Sequence, residues 1–89
     1  MTGKGNINKK NILLIDDDVS VTQMLAMLLE TRGYEVQVAH SGKEAFRKIT
    51  ATTDLILLDL VLPDQEGFDI CRKLKEEQAT RHIHYYPKR

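Results

Sequence analysis

The chain has 89 residues, a length that suits one small domain with a modest core. It is 42% hydrophobic and 29% charged, as soluble globular proteins usually are, and its 13 basic residues balance its 13 acidic ones. This balance gives no overall field that would favour nucleic acid or an anionic membrane, so neither is an expected partner.

The single cysteine, Cys71, excludes an internal disulfide and suits a reducing cytoplasm. No apolar run approaches the ~20 residues of a membrane-spanning helix. Residues 1–10 carry positive charge, but the apolar run that follows them is too short for a signal peptide. The sequence therefore predicts a flexible basic arm over residues 1–10, one domain over residues 11–89, and a cytoplasmic location.

The first half of the chain predicts a strand, a helix and a second strand. Residues 11–15 are a continuous apolar run that ends in acids, which is typical of a strand buried on both faces. Asp18 can cap the helix that follows, and Gly33 marks a natural end for it. Residues 34–39 then alternate apolar and polar side chains, which predicts the second strand. Apolar residues recur along the helix at helical spacing and are expected to face the core: Val21, Met24, Leu25, Leu28 and Leu29.

The second half predicts two more helices around a third strand. Ser41 and Glu44 have the spacing of a capping box, which favours a helix start. Residues 54–59 predict another strand buried on both faces, followed by a turn-rich loop. A third helix is expected over residues 68–78, with Cys71 as a buried, unreactive thiol on its inward side.

Strands alternate with helices along the whole pattern, and a fourth strand could begin around residues 83–86. Such alternation indicates parallel strands joined by right-handed crossovers. The predicted fold class is therefore α/β, a doubly wound parallel sheet with helices on both faces.

Two of the predicted strands end in carboxylates. The first runs into Asp16, Asp17 and Asp18, and the third ends in Asp59. In such sheets the carboxyl ends of the strands lie at one edge, where ligands bind. Carboxylates gathered there repel one another unless a cation or protons intervene, and Mg²⁺ prefers oxygen ligands of this kind. The sequence thus predicts a magnesium site at this edge.

These segments resemble the response-regulator receiver domains of two-component signalling. Residues 11–18 are similar to the first strand and acidic pair of that family, and residues 54–67 to its phosphorylation-site strand and loop. The similarity runs over residues 11–83, most of the chain. It implies a flavodoxin-like sheet of strand order 2-1-3-4-5 and a loop shaped by Pro63 and Gly67.

The resemblance also implies a role for each site residue. Asp59 would be the phosphoacceptor, taking a phosphoryl group from a sensor histidine kinase or a phosphotransfer protein. Asp17 would bind Mg²⁺ directly together with Asp59, and Asp16 would help through water or a hydrogen bond. Val61 would offer its backbone carbonyl to the ion. The domain would be a signalling module and not an enzyme, at most catalysing its own phosphorylation and dephosphorylation.

The chain departs from the family's pattern after residue 83. There the pattern continues through a buried strand ending in Thr or Ser, and later through a fifth strand ending in Lys, whereas this chain has His84–Arg89. Pro87 is unsuited to a central strand because it cannot donate to the ladder. Lys88 or Arg89 could supply a cation, although nothing in the sequence orders this terminus. We expect an incomplete sheet that lacks the fifth strand and the last helices, and residues 84–89 are hypothesised to be an alternative ending on a truncated gene.

Other functions stay open at this point. An incomplete receiver with an unpaired strand edge could self-associate, or could be a non-signalling, interaction-only fragment. Asp16 and Asp18, with one residue between them after an apolar strand, loosely resemble the nucleophile motif of haloacid-dehalogenase phosphatases. That alternative is the weaker one because the chain lacks the length, the later Lys and the later acidic motif of those enzymes.

Overall fold

The computed structural model describes residues 9–59, 67–78, 80 and 83–88, the last five by their backbone. Residues 1–8 of the predicted arm and residues 60–66 of the predicted loop lie outside the described residues. Strands and helices alternate as predicted, with boundaries within one or two residues of the expected ones: β1 (Asn11–Ile15), α1 (Val19–Thr31), β2 (Glu35–Ala39), α2 (Gly42–Lys48), β3 (Leu55–Asp59), α3 (Gly67–Glu76) and β4 (His84–Lys88).

The strands form one parallel sheet in the order β2-β1-β3-β4. The connection from β1 to β2 therefore runs in one direction along the sheet. The connections from β2 to β3, which passes over β1, and from β3 to β4 run in the opposite direction. Because such crossovers are right-handed, the reversal places α1 on one face of the sheet and both α2 and α3 on the opposite face. This is the predicted doubly wound fold, and the order agrees with the first four strands of the expected series.

The hydrophobic core lies on the face covered by α2 and α3. Alternate residues of β1 and β3 point into it, together with apolar side chains of those two helices. Phe46, Ile49 and Cys71 pack against its rim. The buried members of this cluster are Leu13, Ile15, Ala39, Ala45, Ile56, Leu58, Ile70, Leu74 and Ile83.

Local capping signals set the helix ends that position the site. The side chain of Asp18 accepts a hydrogen bond from the backbone N–H of Val21 at 3.1 Å, which starts α1 directly after β1. Gly33 follows the end of α1 with a φ of +93°, in the left-handed region that glycine adopts without strain. The Ser41 hydroxyl likewise accepts from the N–H of Glu44 at 3.1 Å and starts α2. These three predictions are confirmed.

The expected core stripe of α1 is wrong in part. Met24 and Leu28 are 62% and 50% exposed, and the neighbouring Met27 is 66% exposed. The buried residue of this helix is Thr22. Val21, Leu25 and Leu29, which complete the predicted stripe, are half-buried.

The physical reason is that α1 is the only described helix on its face of the sheet. It lies over β1 and β2, so part of its apolar surface has no described element opposite it. That surface borders a groove of about 670 Å³ whose described lining is Ser20, Gln23, Met24, Met27, Leu28 and Thr31.

The same asymmetry explains the burial of β3, which was expected to be buried on both faces. Ile56 and Leu58 point into the core and are fully buried, whereas Leu55 and Leu57, on the face of α1, are half-buried. Cys71 also differs from expectation, since it is half-buried at the rim of the core.

The fourth strand is longer than the sequence suggested. β4 extends through Pro87 to Lys88 and pairs in parallel with β3 over five positions. It lies at the edge of the described sheet, where a residue without an N–H is tolerated. Among the described residues, no helix is long and apolar enough to cross a bilayer.

A matched pair of substitutions tests the assignment of core and groove. Leu13→Ala removes a side chain that is 1% exposed and should lower the free energy of unfolding by about 2–5 kcal/mol. Met24→Ala alters a side chain in the open groove, and the change should stay within about 0.5 kcal/mol. Urea unfolding followed by circular dichroism measures both. Comparable losses in the two variants would show that the α1 groove is covered in solution.

Candidate metal and phosphoacceptor site

Three carboxylates meet where β1 and β3 end. The two strands are neighbours, with Ile15 in register with Leu58, so the next residues, Asp16 and Asp59, reach the same edge. One carboxylate oxygen from each of Asp16, Asp17 and Asp59 lies within 4.8 Å of the others. The structure thus brings together the three acidic residues that the sequence predicted for this site.

Hydrogen bonds to the backbone hold Asp16 in place, one at its own N–H and one at its carboxylate. Its N–H donates to the carbonyl of Ala39 at 3.0 Å, which extends the pairing of β1 with β2 by one residue. Its Oδ1 accepts a hydrogen bond from the N–H of Asp18 at 3.0 Å, closing a tight turn before α1. The side chain is 5% exposed, so it forms the inner wall of the site.

The turn after β1 separates the roles of the three consecutive aspartates. Asp16 and Asp17 belong to the cluster, while Asp18 turns back to cap α1 through Val21. A helix N-terminus carries partial positive charge, so this cap also brings a favourable field close to the carboxylates.

The donor set suits a hard divalent cation. All three candidate ligand atoms are carboxylate oxygens, which Mg²⁺ prefers. Asp16 is buried, Asp59 is half-buried and Asp17 is exposed. The exposed side of the cluster leaves room for water or a phosphate oxygen.

The end of β2 forms a polar flank of the site. His40 follows β2, and its Nε2 lies 3.2 Å from the hydroxyl of the buried Thr22 on α1. Its backbone N–H donates to Glu44 Oε1 at 2.8 Å. The Lys48 ammonium lies 3.2 Å from Glu44 Oε2 and donates to the carbonyl of Val38 at 2.6 Å. This network ties the start of α2 to the end of β2.

This hydrogen-bond network lowers the pKa of Glu44. The hydrogen bond from the His40 N–H, assisted by Lys48, holds the pKa of the Glu44 carboxyl below its usual value of 4.5. Glu44 is therefore ionised at neutral pH.

The remaining predicted site residues are only partly described. Gly67 is the first residue of α3 and is buried. Val61 and Pro63 lie outside the described residues, and their roles stay predictions.

The sequence did not point to Thr22 or His40 as residues beside the site. His40 comes directly after β2, so the rule that gathered the aspartates at the carboxyl ends of parallel strands also places it at this edge. Thr22 gave no comparable signal, because a threonine one turn into a helix is ordinary and its burial depends on the packing of α1.

Comparison with known proteins gives a family match that covers most of the chain. The family profile described as "Response regulator receiver domain" matches residues 12–86. The chain is 40% identical over 74 residues to the transcriptional regulatory protein ResD of Bacillus subtilis, an alignment that covers 82% of this chain and 31% of ResD. The chain thus spans about a third of the length of the curated relatives it matches.

Solved structures show the same fold. The chemotaxis response regulator CheY4 of Vibrio cholerae superposes with a TM-score of 0.82 at 26% identity, covering 90% of this chain and 68% of CheY4. The non-phosphorylated HemR receiver domain of Leptospira biflexa gives a TM-score of 0.83 at 31% identity, covering 89% of this chain and 63% of that one.

The depressed pKa of Glu44 predicts a pH dependence of stability. Because the folded-state pKa lies below the unfolded value of 4.5, the stabilisation is present above about pH 4.5 and is lost as the pH falls through the folded-state pKa. Glu44→Gln should therefore lower Tm at pH 7, and the difference from the native chain should shrink under acid. Thermal unfolding from pH 7 to pH 3 measures it, with Glu30→Gln on exposed α1 as control. A constant difference across this range would contradict the prediction.

Proposed function

The chain belongs to the response regulator receiver family, and from this premise we propose that it accepts a phosphoryl group on Asp59. The donor is the phosphohistidine of a sensor histidine kinase or of a phosphotransfer protein. The observation that supports this proposal is the meeting of Asp16, Asp17 and Asp59 within 4.8 Å at one edge of the sheet. Receiver domains are signalling domains, so the chain itself is expected to catalyse at most its own phosphorylation and dephosphorylation.

In the proposed reaction a carboxylate oxygen of Asp59 attacks the phosphorus atom. A P–O bond forms as the P–N bond of the phosphohistidine breaks, and the released imidazole takes up a proton. The product is an acyl phosphate on Asp59. The protein's task is to position Asp59 and to control charge, since phosphoryl transfer requires little covalent chemistry beyond the nucleophile.

Mg²⁺ fits the donor set and would neutralise charge on the transferring phosphoryl oxygens. We assign direct ligation to Asp17, which is exposed, and to Asp59. Asp16 acts through water or a hydrogen bond, since it is buried and already accepts the N–H of Asp18. The backbone carbonyl of Val61 completes the proposed set.

The alternatives are less favoured. A non-signalling fragment gives no reason for three carboxylates to converge, whereas a phosphoacceptor site requires it. A phosphatase built on Asp16 and Asp18 is disfavoured by the use of the Asp18 carboxylate as the cap of α1.

The proposed partners are a kinase or phosphotransfer protein in the cytoplasm. Nucleic acid is not an expected partner of this chain, because its acidic and basic residues balance. ResD is named a transcriptional regulatory protein, but this chain aligns with only 31% of it.

Self-association through the sheet edge stays a prediction. Within the described residues no strand pairs with the outer edge of β4, and the exposed apolar residues of α1 add to the surface that favours association. We expect sedimentation velocity to show dimers whose fraction rises with protein concentration. A monomer at every concentration would contradict this expectation.

Phosphorylation by a small acyl-phosphate donor tests the proposed function directly. The purified chain, incubated with acetyl phosphate and Mg²⁺, should gain one phosphoryl group by intact mass. The gain should disappear in Asp59→Asn and when Mg²⁺ is chelated, and should fall strongly in Asp17→Asn.

Asp69→Asn provides the matched control, because Asp69 is a carboxylate of α3 paired with Arg72 at 2.7 Å, outside the cluster. This variant should be phosphorylated as the native chain is. No mass gain from folded native protein, or an equal gain in Asp59→Asn, would refute the assignment.

A further inference from the structure

The position of Asp17 depends on the short turn between β1 and α1. Asp17 is the exposed member of the carboxylate cluster, and the backbone on either side of it sets its place. β1 ends at Ile15 and α1 begins at Val19, so the three aspartates alone join the strand to the helix. A shift of the first turn of α1 relative to β1 would therefore move the Asp17 carboxylate relative to Asp59.

A hydrogen bond between two side chains ties that first turn to the end of β2. Thr22 is 1% exposed, and its hydroxyl lies 3.2 Å from the carbonyl of Asp18 and 3.0 Å from the carbonyl of Val19. His40 follows β2 directly, and its Nε2 lies 3.2 Å from the same hydroxyl. The Thr22 hydroxyl thus links α1 to β2 beside the acidic site.

The contacts of the Thr22 hydroxyl indicate which nitrogen of His40 carries a proton. A hydroxyl donates one hydrogen bond and can accept two, whereas a carbonyl only accepts. The contacts to the carbonyls of Asp18 and Val19 are therefore hydrogen bonds that the hydroxyl donates. The hydroxyl must then accept from His40, so Nε2 carries the proton, as in the Nε2–H tautomer of the neutral ring.

The backbone around His40 is itself held in place, so it can serve as a fixed point for α1. The N–H of His40 donates to Glu44 Oε1 at 2.8 Å. The carbonyl of Ala39, the residue before it, accepts the N–H of Asp16 at 3.0 Å. The end of β2 therefore contacts both ends of the turn, Asp16 through the backbone and α1 through the imidazole.

We propose that His40 is a positioning residue of the acidic site, which donates from Nε2 to the Thr22 hydroxyl and so holds the turn that places Asp17 beside Asp59. The hydrogen bond stands on the geometry of the two side chains, whereas its effect on Mg²⁺ binding rests on the proposed function. Neither His40 nor Thr22 belongs to the carboxylate cluster, so the effect passes through the turn.

The first test uses nuclear magnetic resonance on the metal-free protein. The long-range ¹H–¹⁵N spectrum of the neutral His40 ring should show the proton on Nε2, and a ring protonated only on Nδ1 would overturn the proposal. The N–H groups of Asp18 and Val21 are bonded within the turn and the cap. Their hydrogen exchange should be faster by roughly threefold or more in Thr22→Val and native-like in Thr22→Ser, which keeps the hydroxyl.

The second test measures Mg²⁺ affinity by isothermal titration calorimetry. Thr22→Val and His40→Leu should bind Mg²⁺ roughly three- to tenfold more weakly, since they loosen the support of a ligand without removing one. Thr22→Ser should bind as the native chain does. His40→Gln, whose side-chain amide can donate, should lie closer to the native chain than His40→Leu. If Thr22→Val did not fold, the two His40 variants would make the same comparison, since His40 is half-buried.

Thr53→Val is the matched control for loss of a buried hydroxyl. Thr53 is 6% exposed, and its hydroxyl accepts the N–H of Thr50 at 3.1 Å just before β3, at the opposite end of the sheet. This variant should lower Tm but leave Mg²⁺ affinity unchanged. Equal losses of Mg²⁺ affinity in Thr53→Val and Thr22→Val would indicate general destabilisation and would overturn the positioning role.

The outcomes separate this proposal from the proposed function. If the native chain binds Mg²⁺ and is phosphorylated, while Thr22→Val and His40→Leu match it in affinity and exchange, the role of His40 is overturned and the function stands. If the native chain neither binds Mg²⁺ nor is phosphorylated, while exchange at Asp18 is faster in Thr22→Val and restored in Thr22→Ser, the function is overturned and the positioning of the turn is supported.

Discussion

The repulsion between three carboxylates at one edge of the sheet is the constraint on which the site depends. Hydrogen bonding in a parallel sheet fixes the ends of β1 and β3 side by side, so Asp16 and Asp59 cannot move apart without breaking the register. The turn to α1 adds Asp17 to the same edge. Charge concentrated in this way is unfavourable by itself, and a divalent cation bound at this edge would balance it.

The surrounding structure holds this edge in place from several directions. The N–H of Asp16 pairs with β2, its carboxylate accepts from the backbone of the turn, and Asp18 caps α1. On the β2 side, Glu44 binds the N–H of His40 and the ammonium of Lys48, which fixes the start of α2. On the other side the backbone of β4 pairs with β3 as far as Asp59. The core that supports this edge lies on the face of α2 and α3.

The two faces of the sheet differ in how well they are covered. The face of α2 and α3 holds a continuous core, and the face of α1 leaves Met24, Met27 and Leu28 at least half exposed. The residues that stabilise the fold are therefore different from the residues that form its exposed surfaces. Changes in the core should unfold the domain, changes in the α1 groove should affect the proposed association, and changes at the carboxyl edge should affect the proposed metal and phosphoryl chemistry.

By itself the sequence determined the order of the elements, the caps at Asp18, Ser41 and Gly33, and the three aspartates of the site. Those features depend on local hydrogen bonding, on periodicity, and on the rule that parallel strands end at one edge. Only the tertiary structure decided which apolar side chains are buried, because a stripe such as Met24 and Leu28 is core only if another element packs over it. The place of Lys88 was likewise decided by long-range pairing, since the register of β4 against β3 depends on hydrogen bonds between distant segments and not on local sequence.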